Sequence, residues 1–244
     1  MPKFFVKKEN VFDGVAKIFG DDAYHIARSL RMAVGDEINI SDGEGGEYLC
    51  RLEKIRDDEC ECKIIKSEES STEPPLSITL CMAYPKGDKL EVVIQKSVEL
   101  GTLRIIPFES SRCIKRPKAE KQEKQTARLN RIAEEAAKQC GRSRLPSVTP
   151  PMSYREMLDT VSECDLVLFC YEDEQAQTIK DELTSAHGIR SVAVIVGSEG
   201  GFSPEEAALA KEAGCKAVSL GRRILRCETA PSFALSAISY HTEL

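Results

Sequence analysis

The sequence predicts an α/β protein in two parts, a small β-barrel over residues 1–72 and a parallel-sheet domain over residues 73–244. Three observations carry this expectation. Residues 1–66 hold short β-rich runs separated by Gly and Asp turns. From Leu76 onward, apolar strand-like runs alternate with helical patterns, which implies a parallel sheet with helices on both faces. Between the two lies Ser67 to Pro75, SEESSTEPP, a polar stretch ending in two prolines that reads as a linker.

In the first part, strands are expected at 3–6, 15–19, 37–41, 47–55 and 61–67, and their natural closure is a barrel. One helix is expected at 21–32. Asp21 or Asp22 caps it, and Ala23, Ile26, Ala27 and Leu30 form its apolar stripe. Arg28 and Arg31 project from that helix, placed to meet phosphates. Asp42-Gly43-Glu44-Gly45-Gly46 is a hairpin turn; no helix follows it, so it is not a nucleotide loop. Cys60 and Cys62 share one face of a strand.

The second part begins with a strand at 76–83 and a helix at 88–100 closed by Gly101. Glu99 sits at the helix end where the dipole disfavours an acid, which points to a cationic partner such as Arg142. A strand at 104–108 leads to Ser110-Ser111-Arg112-Cys113, with Arg112 at the carboxyl edge of the sheet, suited to a phosphate. A long helix is expected at 119–140. Leu129, Ile132, Ala133, Ala136 and Ala137 make its apolar stripe; Lys121, Lys124, Arg128 and Arg131 make a cationic one. Gly141 should end it, holding Arg142 and Arg144 just past a rigid terminus, where a guanidinium can meet a phosphate or a carbonyl oxygen. Further strands are expected at 165–170, 192–196 and 217–220.

Residues 192–240 are the most informative. The apolar run 192–196 ends in Gly197-Ser198-Glu199-Gly200-Gly201, a turn no bulky residue follows. Ser203-Pro204-Glu205-Glu206 then starts a helix, with Ser as cap, Pro in the first position and acids in the first turn. That helix ends near Gly214. The strand at 217–220 gives way to a long loop, Gly221 to Thr229, and a last helix starts near Pro231. Two glycine-bearing loops therefore lie past the carboxyl ends of consecutive strands, where ligands bind in open α/β sheets. Their backbone groups can read an adenine edge or a ribose without charged side chains.

Composition narrows the function classes. Hydrophobic residues make up 41% and charged residues 30% of the 244. No apolar run approaches membrane-spanning length, and the opening MPKFFVKK lacks an apolar targeting segment, so a cytoplasmic protein is expected. A net charge of −6 argues against indiscriminate nucleic-acid binding. Yet residues 112–144 carry eleven Lys or Arg against four Glu, a basic patch suited to one anionic surface in one orientation. The ten cysteines contain no CxxC pair and the three histidines are far apart, so reduced, mostly buried thiols and no metal are expected. Neither GxGxxG nor GxxxxGK[ST] follows a strand, which disfavours a nicotinamide or ATP enzyme.

GSEGGFS followed by LGRRILRCETA resembles the signature of the SPOUT methyltransferases, and most closely that of the RsmE family, which methylates N3 of a uridine in 16S ribosomal RNA. Other segments share the resemblance. His25 to Arg31 with Gly35-Asp36 is similar to HxxxVLR…GD of the family's PUA-like domain, with Ser29 in place of Val. Pro85-Lys-Gly-Asp-Lys89 and Lys96 to Gly101 resemble the start of its first helix and its KxxELG. Gln139 to Pro146 resembles its EQxGRxxxP. Ser198 stands where the family usually has Pro.

The resemblance implies a deep trefoil knot in the C-terminal domain, with S-adenosylmethionine held by the knotted loops. By number here the holding residues are Tyr171, Glu172, Val196, Gly197, Glu199, Gly200, Gly201, Leu220, Gly221, Ile224, Leu225, Arg226 and Thr229. It places Arg142 in the substrate site. Glu199 and Glu228, in the two cofactor loops, are candidates for the general base, although Glu228 can equally be a loop anchor. The partner implied is 16S ribosomal RNA within the small ribosomal subunit, bound by a homodimer formed through the knot region and the final helix. Phe233, Leu235, Ala237 and Ile238 serve either that interface or the monomer core. No metal is required, since the leaving group is a neutral sulfide. A different SPOUT activity, such as tRNA methylation, is disfavoured by the N-terminal barrel and its LR…GD pattern. A non-catalytic RNA-binding relative is disfavoured by the intact GG and ETA loops.

Overall fold

Alternating and continuous apolar runs build two different sheets. The computed structural model describes residues 1–69, 72–114 and 119–244, so Lys115, Arg116 and Lys118 of the basic stretch lie outside the described residues. The chain divides into two compact units, Met1–Glu73 with Ala137–Leu145, and Pro74–Ala136 with Pro146–Leu244.

The first unit holds β1 (Lys3–Phe5), β2 (Val11–Phe12), β3 (Val15–Phe19), α1 (Asp21–Tyr24), β4 (Glu37–Ser41), β5 (Gly46–Ile55) and β6 (Glu59–Glu69). Its barrel-like sheet runs β1-β4-β5-β6-β3-β2, parallel only between β1 and β4. Every second residue points inward, as strand pleating requires. Ala16 and Ile18, Ile38 and Ile40, Cys50 and Leu52, and Cys60 and Cys62 are all buried, and the three thiols among them are free. Burial pushes the Cys62 thiol up to about 12, which keeps it protonated and unreactive.

One expectation needs correction here. The helix expected at 21–32 stops at Tyr24. It passes into a wide turn over His25–Ser29, where the Leu30 N–H donates to the His25 carbonyl five residues back. Arg31 then adopts φ 53°, a left-handed conformation that ends the helical path. Arg28 and Arg31 therefore do not share a helix. The first unit takes in Ala137–Leu145 besides Met1–Glu73.

The second unit contains β7 (Ser77–Ala83), α2 (Lys89–Glu99), β8 (Thr102–Glu109), most of α3 (Gln122–Cys140), β9 (Ser147–Val148), β10 (Met152–Ser153), α4 (Tyr154–Val161), β11 (Leu166–Cys170), α5 (Ile179–Ser185), β12 (Ser191–Val196), α6 (Pro204–Glu212), β13 (Lys216–Val218) and α7 (Thr229–Glu243). The sheet order is β10-β8-β7-β12-β11-β13, with β9 also on β8, and every pairing is parallel. β7, β11 and β12 are apolar and buried on both faces, as parallel strands between helical layers are.

The order places the site. From β7 the chain steps outward to β8, whereas β11, β12 and β13 lie on the other side of β7. The direction of winding reverses there, and the carboxyl ends of β12, β11 and β13 stand side by side at that crevice. α4, which the sequence analysis does not predict, starts with a complete capping box between Ser153 and Glu156.

Candidate functional site

The loops after β11, β12 and β13 enclose a cavity of about 580 Å³, a size typical of small-molecule sites. Cys170–Glu172 line it from β11, Val196–Gly201 from β12, and Val218–Gly221 with Arg223–Cys227 from β13. Lys89 and Ala230 complete the wall. All the residues named from the sequence for this pocket line it except Thr229, which instead opens α7 and donates its N–H to the Arg226 carbonyl at 2.8 Å.

The floor is rigid. Phe202, immediately after the two glycines, is buried, and its ring lies 4.5 Å from Phe169 and 6.4 Å from Phe108, centroid to centroid. Tyr171 stacks on Phe169 at 5.5 Å. Such aromatic contacts fix both loops to the sheet. The Ser198 carbonyl accepts the Gly201 N–H at 3.0 Å, closing a four-residue turn. Gly201 has φ 60°, and a Cβ there would lie 1.8 Å from Glu172 Oε1, so only glycine admits the carboxylate at that place. Glu172 also accepts the Phe202 N–H at 3.4 Å.

Lys89, missing from the residues named for the pocket, joins its two glycine-bearing loops. Its Nζ lies 2.9 Å from Glu199 Oε1 and 3.3 Å from Glu228 Oε2. The Lys86 N–H donates to both Glu199 oxygens at 3.3 and 3.4 Å. Hydrogen bonding to Glu199 and Glu228 holds the Lys89 ammonium well above its ordinary pKa. Burial alone would raise Glu199, but its bonds to Lys89 and to backbone N–H groups outweigh that and hold the carboxyl below its usual range. Glu228 is also held low, by its own backbone N–H, the Cys227 thiol and Lys89. A proton acceptor working near neutrality needs the opposite shift. Of the roles open to these acids, the geometry supports loop anchoring. The signal in the sequence is Pro85–Lys89, which resembles the start of the family's first helix.

Arg112 donates from a terminal guanidinium nitrogen to the Gly200 carbonyl at 3.1 Å. Its segment is set by Glu206, a buried acid in the first turn of α6, which accepts from the Ser111 N–H at 2.7 Å and from both serine hydroxyls of that segment. Arg112 is thus exposed yet braced against the pocket loop.

The remaining candidate RNA-contacting residues are spread over both units. Arg28 forms a two-pronged pair with Asp57 at 2.9 and 2.6 Å, and Arg128 does the same with Glu91 at 2.5 and 2.9 Å. Arg31, Lys121, Lys124, Arg131 and Arg144 are exposed. Arg142 is not an open cation. Its side chain is 4% exposed, and its fork meets Glu73 at 2.6 and 3.2 Å. Glu73 also accepts the N–H groups of Ser143 at 2.8 Å and Arg144 at 3.0 Å. The partner expected between Glu99 and Arg142 is corrected accordingly: Glu99 pairs with Lys96, one turn earlier on α2.

This buried pair makes a pH prediction. Burial raises the Glu73 carboxyl, but Arg142 and the Arg144 and Ser143 N–H groups pull it lower still, leaving it below its ordinary value of 4.5. A depressed folded-state pKa contributes stability that is present above 4.5 and is lost as pH falls through the folded value. The wild type should therefore lose stability progressively below pH 4.5, and Glu73→Gln should flatten that acid limb in chemical denaturation measured from pH 7 to 3.

The RNA methyltransferase domain family matches residues 72–239, and the RNA methyltransferase PUA domain family matches residues 20–65. Ribosomal RNA small subunit methyltransferase E of Bacillus subtilis (strain 168) is 34% identical, over 100% of this chain and 98% of its own length. The chain belongs to the ribosomal RNA small subunit methyltransferase E family. Its namesake in Synechocystis sp. is 29% identical over 97% of this chain and 77% of its own length. A ribosomal RNA small subunit methyltransferase E from Neisseria gonorrhoeae, solved bound to S-adenosyl methionine, has a TM-score of 0.85 at 32% identity, covering 98% of this chain and 97% of that one. Ser198 falls on the pocket wall itself.

Proposed function

We propose that this chain transfers the methyl group of S-adenosylmethionine to N3 of a uridine in 16S ribosomal RNA, in the cytoplasm and within the small ribosomal subunit. The observation that carries the reading is the cavity built by three adjacent strand-end loops, lined by the glycine turn Val196–Gly201 and by the segment Arg223–Cys227. The residues present fit the donor: exposed main-chain groups, a carboxylate at Glu172, and a buried hydroxyl at Ser198.

When bound, the donor supplies an electrophilic methyl on a sulfonium that departs as a neutral sulfide. The chain's first contribution is orientation, through loops pinned by Phe202, Lys89 and Arg112. Its second is electrostatic, since N3 of uracil must lose its proton and a guanidinium favours the resulting anion. The resemblance assigns Arg142 to that region. Its burial against Glu73 supports a positioning share in the role: it fixes residues 142–145, from which Arg144 is exposed.

Dimerisation through the knotted segment and α7 belongs to the same proposal. Leu235 and Ile238 are fully buried within this chain, so Phe233 and Tyr240, both exposed, are the α7 side chains that a second copy would cover.

The test is tritium transfer from S-adenosylmethionine to small-subunit particles and to naked 16S RNA, followed by nucleoside analysis. Label in N3-methyluridine supports the proposal; label in another nucleoside, or none in either substrate, refutes it. Lys89→Met should weaken donor binding by about tenfold, because Glu199 and Glu228 would lose the ammonium that they share and repel one another, loosening the loops that carry them. Calorimetry checks this, and unchanged affinity would mean that Lys89 does not set the loops.

A further inference from the structure

The turn that follows β12 holds a polar group that no described residue engages. Ser198 is 7% exposed and lines the cavity, and its Oγ is buried with no hydrogen-bond partner among the described residues. Its neighbours are engaged. The Ser198 carbonyl takes the Gly201 N–H, Glu199 takes Lys89 and Lys86, and Glu172 takes the Phe202 N–H. A hydroxyl withdrawn from water without a partner is costly, and one at a pocket wall recovers that cost when a polar ligand atom arrives.

We propose that Ser198 is a donor-binding residue, its hydroxyl forming a hydrogen bond to a polar atom of the nucleoside methyl donor. The proposal rests on the reading of the cavity as the S-adenosylmethionine site. The proline usual at this position in the resembling family has neither a hydroxyl nor a backbone N–H, so it cannot make such a bond. Proline there stiffens the turn; serine gives up that stiffness and supplies a group that both donates and accepts. A single neutral hydrogen bond of this kind corresponds to about a three- to tenfold change in affinity.

The experiment is calorimetry on the full chain, wild type and Ser198→Ala, titrated with S-adenosylmethionine, S-adenosylhomocysteine and 5′-methylthioadenosine. Thermal melts without ligand run in parallel. The expected result is binding of S-adenosylmethionine weakened about three- to tenfold in Ser198→Ala, with the ligand-free melting temperature unchanged or raised. Equal weakening for 5′-methylthioadenosine locates the bond on the nucleoside half; weakening confined to the two larger ligands locates it on the amino-acid half. Either supports the proposal. Unchanged affinities overturn it while leaving the donor site intact. A lowered ligand-free melting temperature together with weakened binding overturns it too, because the hydroxyl would then be serving the fold. A wild type that binds none of the three overturns the donor-site reading and this inference with it.

Discussion

Arg142→Ala is expected to cut methyl transfer by two or more orders of magnitude while donor affinity stays within about threefold. The reason lies in what the arginine holds. Its fork meets the Glu73 carboxylate at 2.6 and 3.2 Å in a place where the Arg142 side chain is 4% exposed and that of Glu73 is 14% exposed. Glu73 in turn orders Ser143 and Arg144 through their backbone N–H groups. Removing one partner strands a buried charge, which costs about 3–5 kcal/mol. In a chain of this size that lowers the melting temperature by about 10 °C. The cavity draws its lining from other segments, so donor binding should survive. Two further variants separate chemistry from positioning. Arg142→Lys keeps a charge but not the planar fork. Glu73→Gln keeps the arginine but frees its segment. A positioning role predicts that all three variants lose transfer at saturating donor. Retained transfer in Glu73→Gln alone would put the Arg142 guanidinium itself at the substrate, and unchanged turnover in Arg142→Ala would remove it from the mechanism.

Gly201→Ala should do the reverse, reducing donor affinity by at least about tenfold with a smaller effect on transfer at saturation. The left-handed backbone at φ 60° costs a non-glycine residue about 1–2 kcal/mol. The new methyl group would also fall 1.8 Å from Glu172 Oε1 and 2.7 Å from its Cδ, so the Glu172 side chain must swing out of its place. Gly214→Ala is the matched control. It has φ 83° with open space around the Cβ position and lies outside the cavity, so it should lose stability without losing affinity. Calorimetry and melting curves on the two variants read both effects. Equal donor affinities in the two would show that the glycine turn is not part of the donor site.

Much of the architecture was legible because it depends on local patterns. Continuous apolar runs marked β7, β11 and β12, and Ser203-Pro204 marked the start of α6. The pocket loops were legible for the same reason: glycines are needed where the backbone turns tightly beneath Glu172 and Phe202. What escaped depends on distant partners. The hydrogen bonds that wind residues 25–29 into a wide turn leave no period in the sequence, so a helix through Arg31 was the natural reading. The pairing of Arg142 with Glu73 joins residues far apart in the chain, whereas the proposed pairing with Glu99 rested on a helix dipole argument that Lys96 already satisfies locally. Lys89 escaped because a lysine in the first turn of a helix has no signature of its own until the loops it bridges are in place.

The claim on which the account depends is that the loops following β11, β12 and β13 grip a sulfonium methyl donor. A crystal structure of the protein soaked with S-adenosylmethionine tests it most directly. The account predicts the donor in the cavity of about 580 Å³, bonded to main-chain groups of Gly197–Gly201 and of the segment from Leu220 to Cys227. A cavity left empty at saturating donor, or a donor seated elsewhere on the chain, would contradict it.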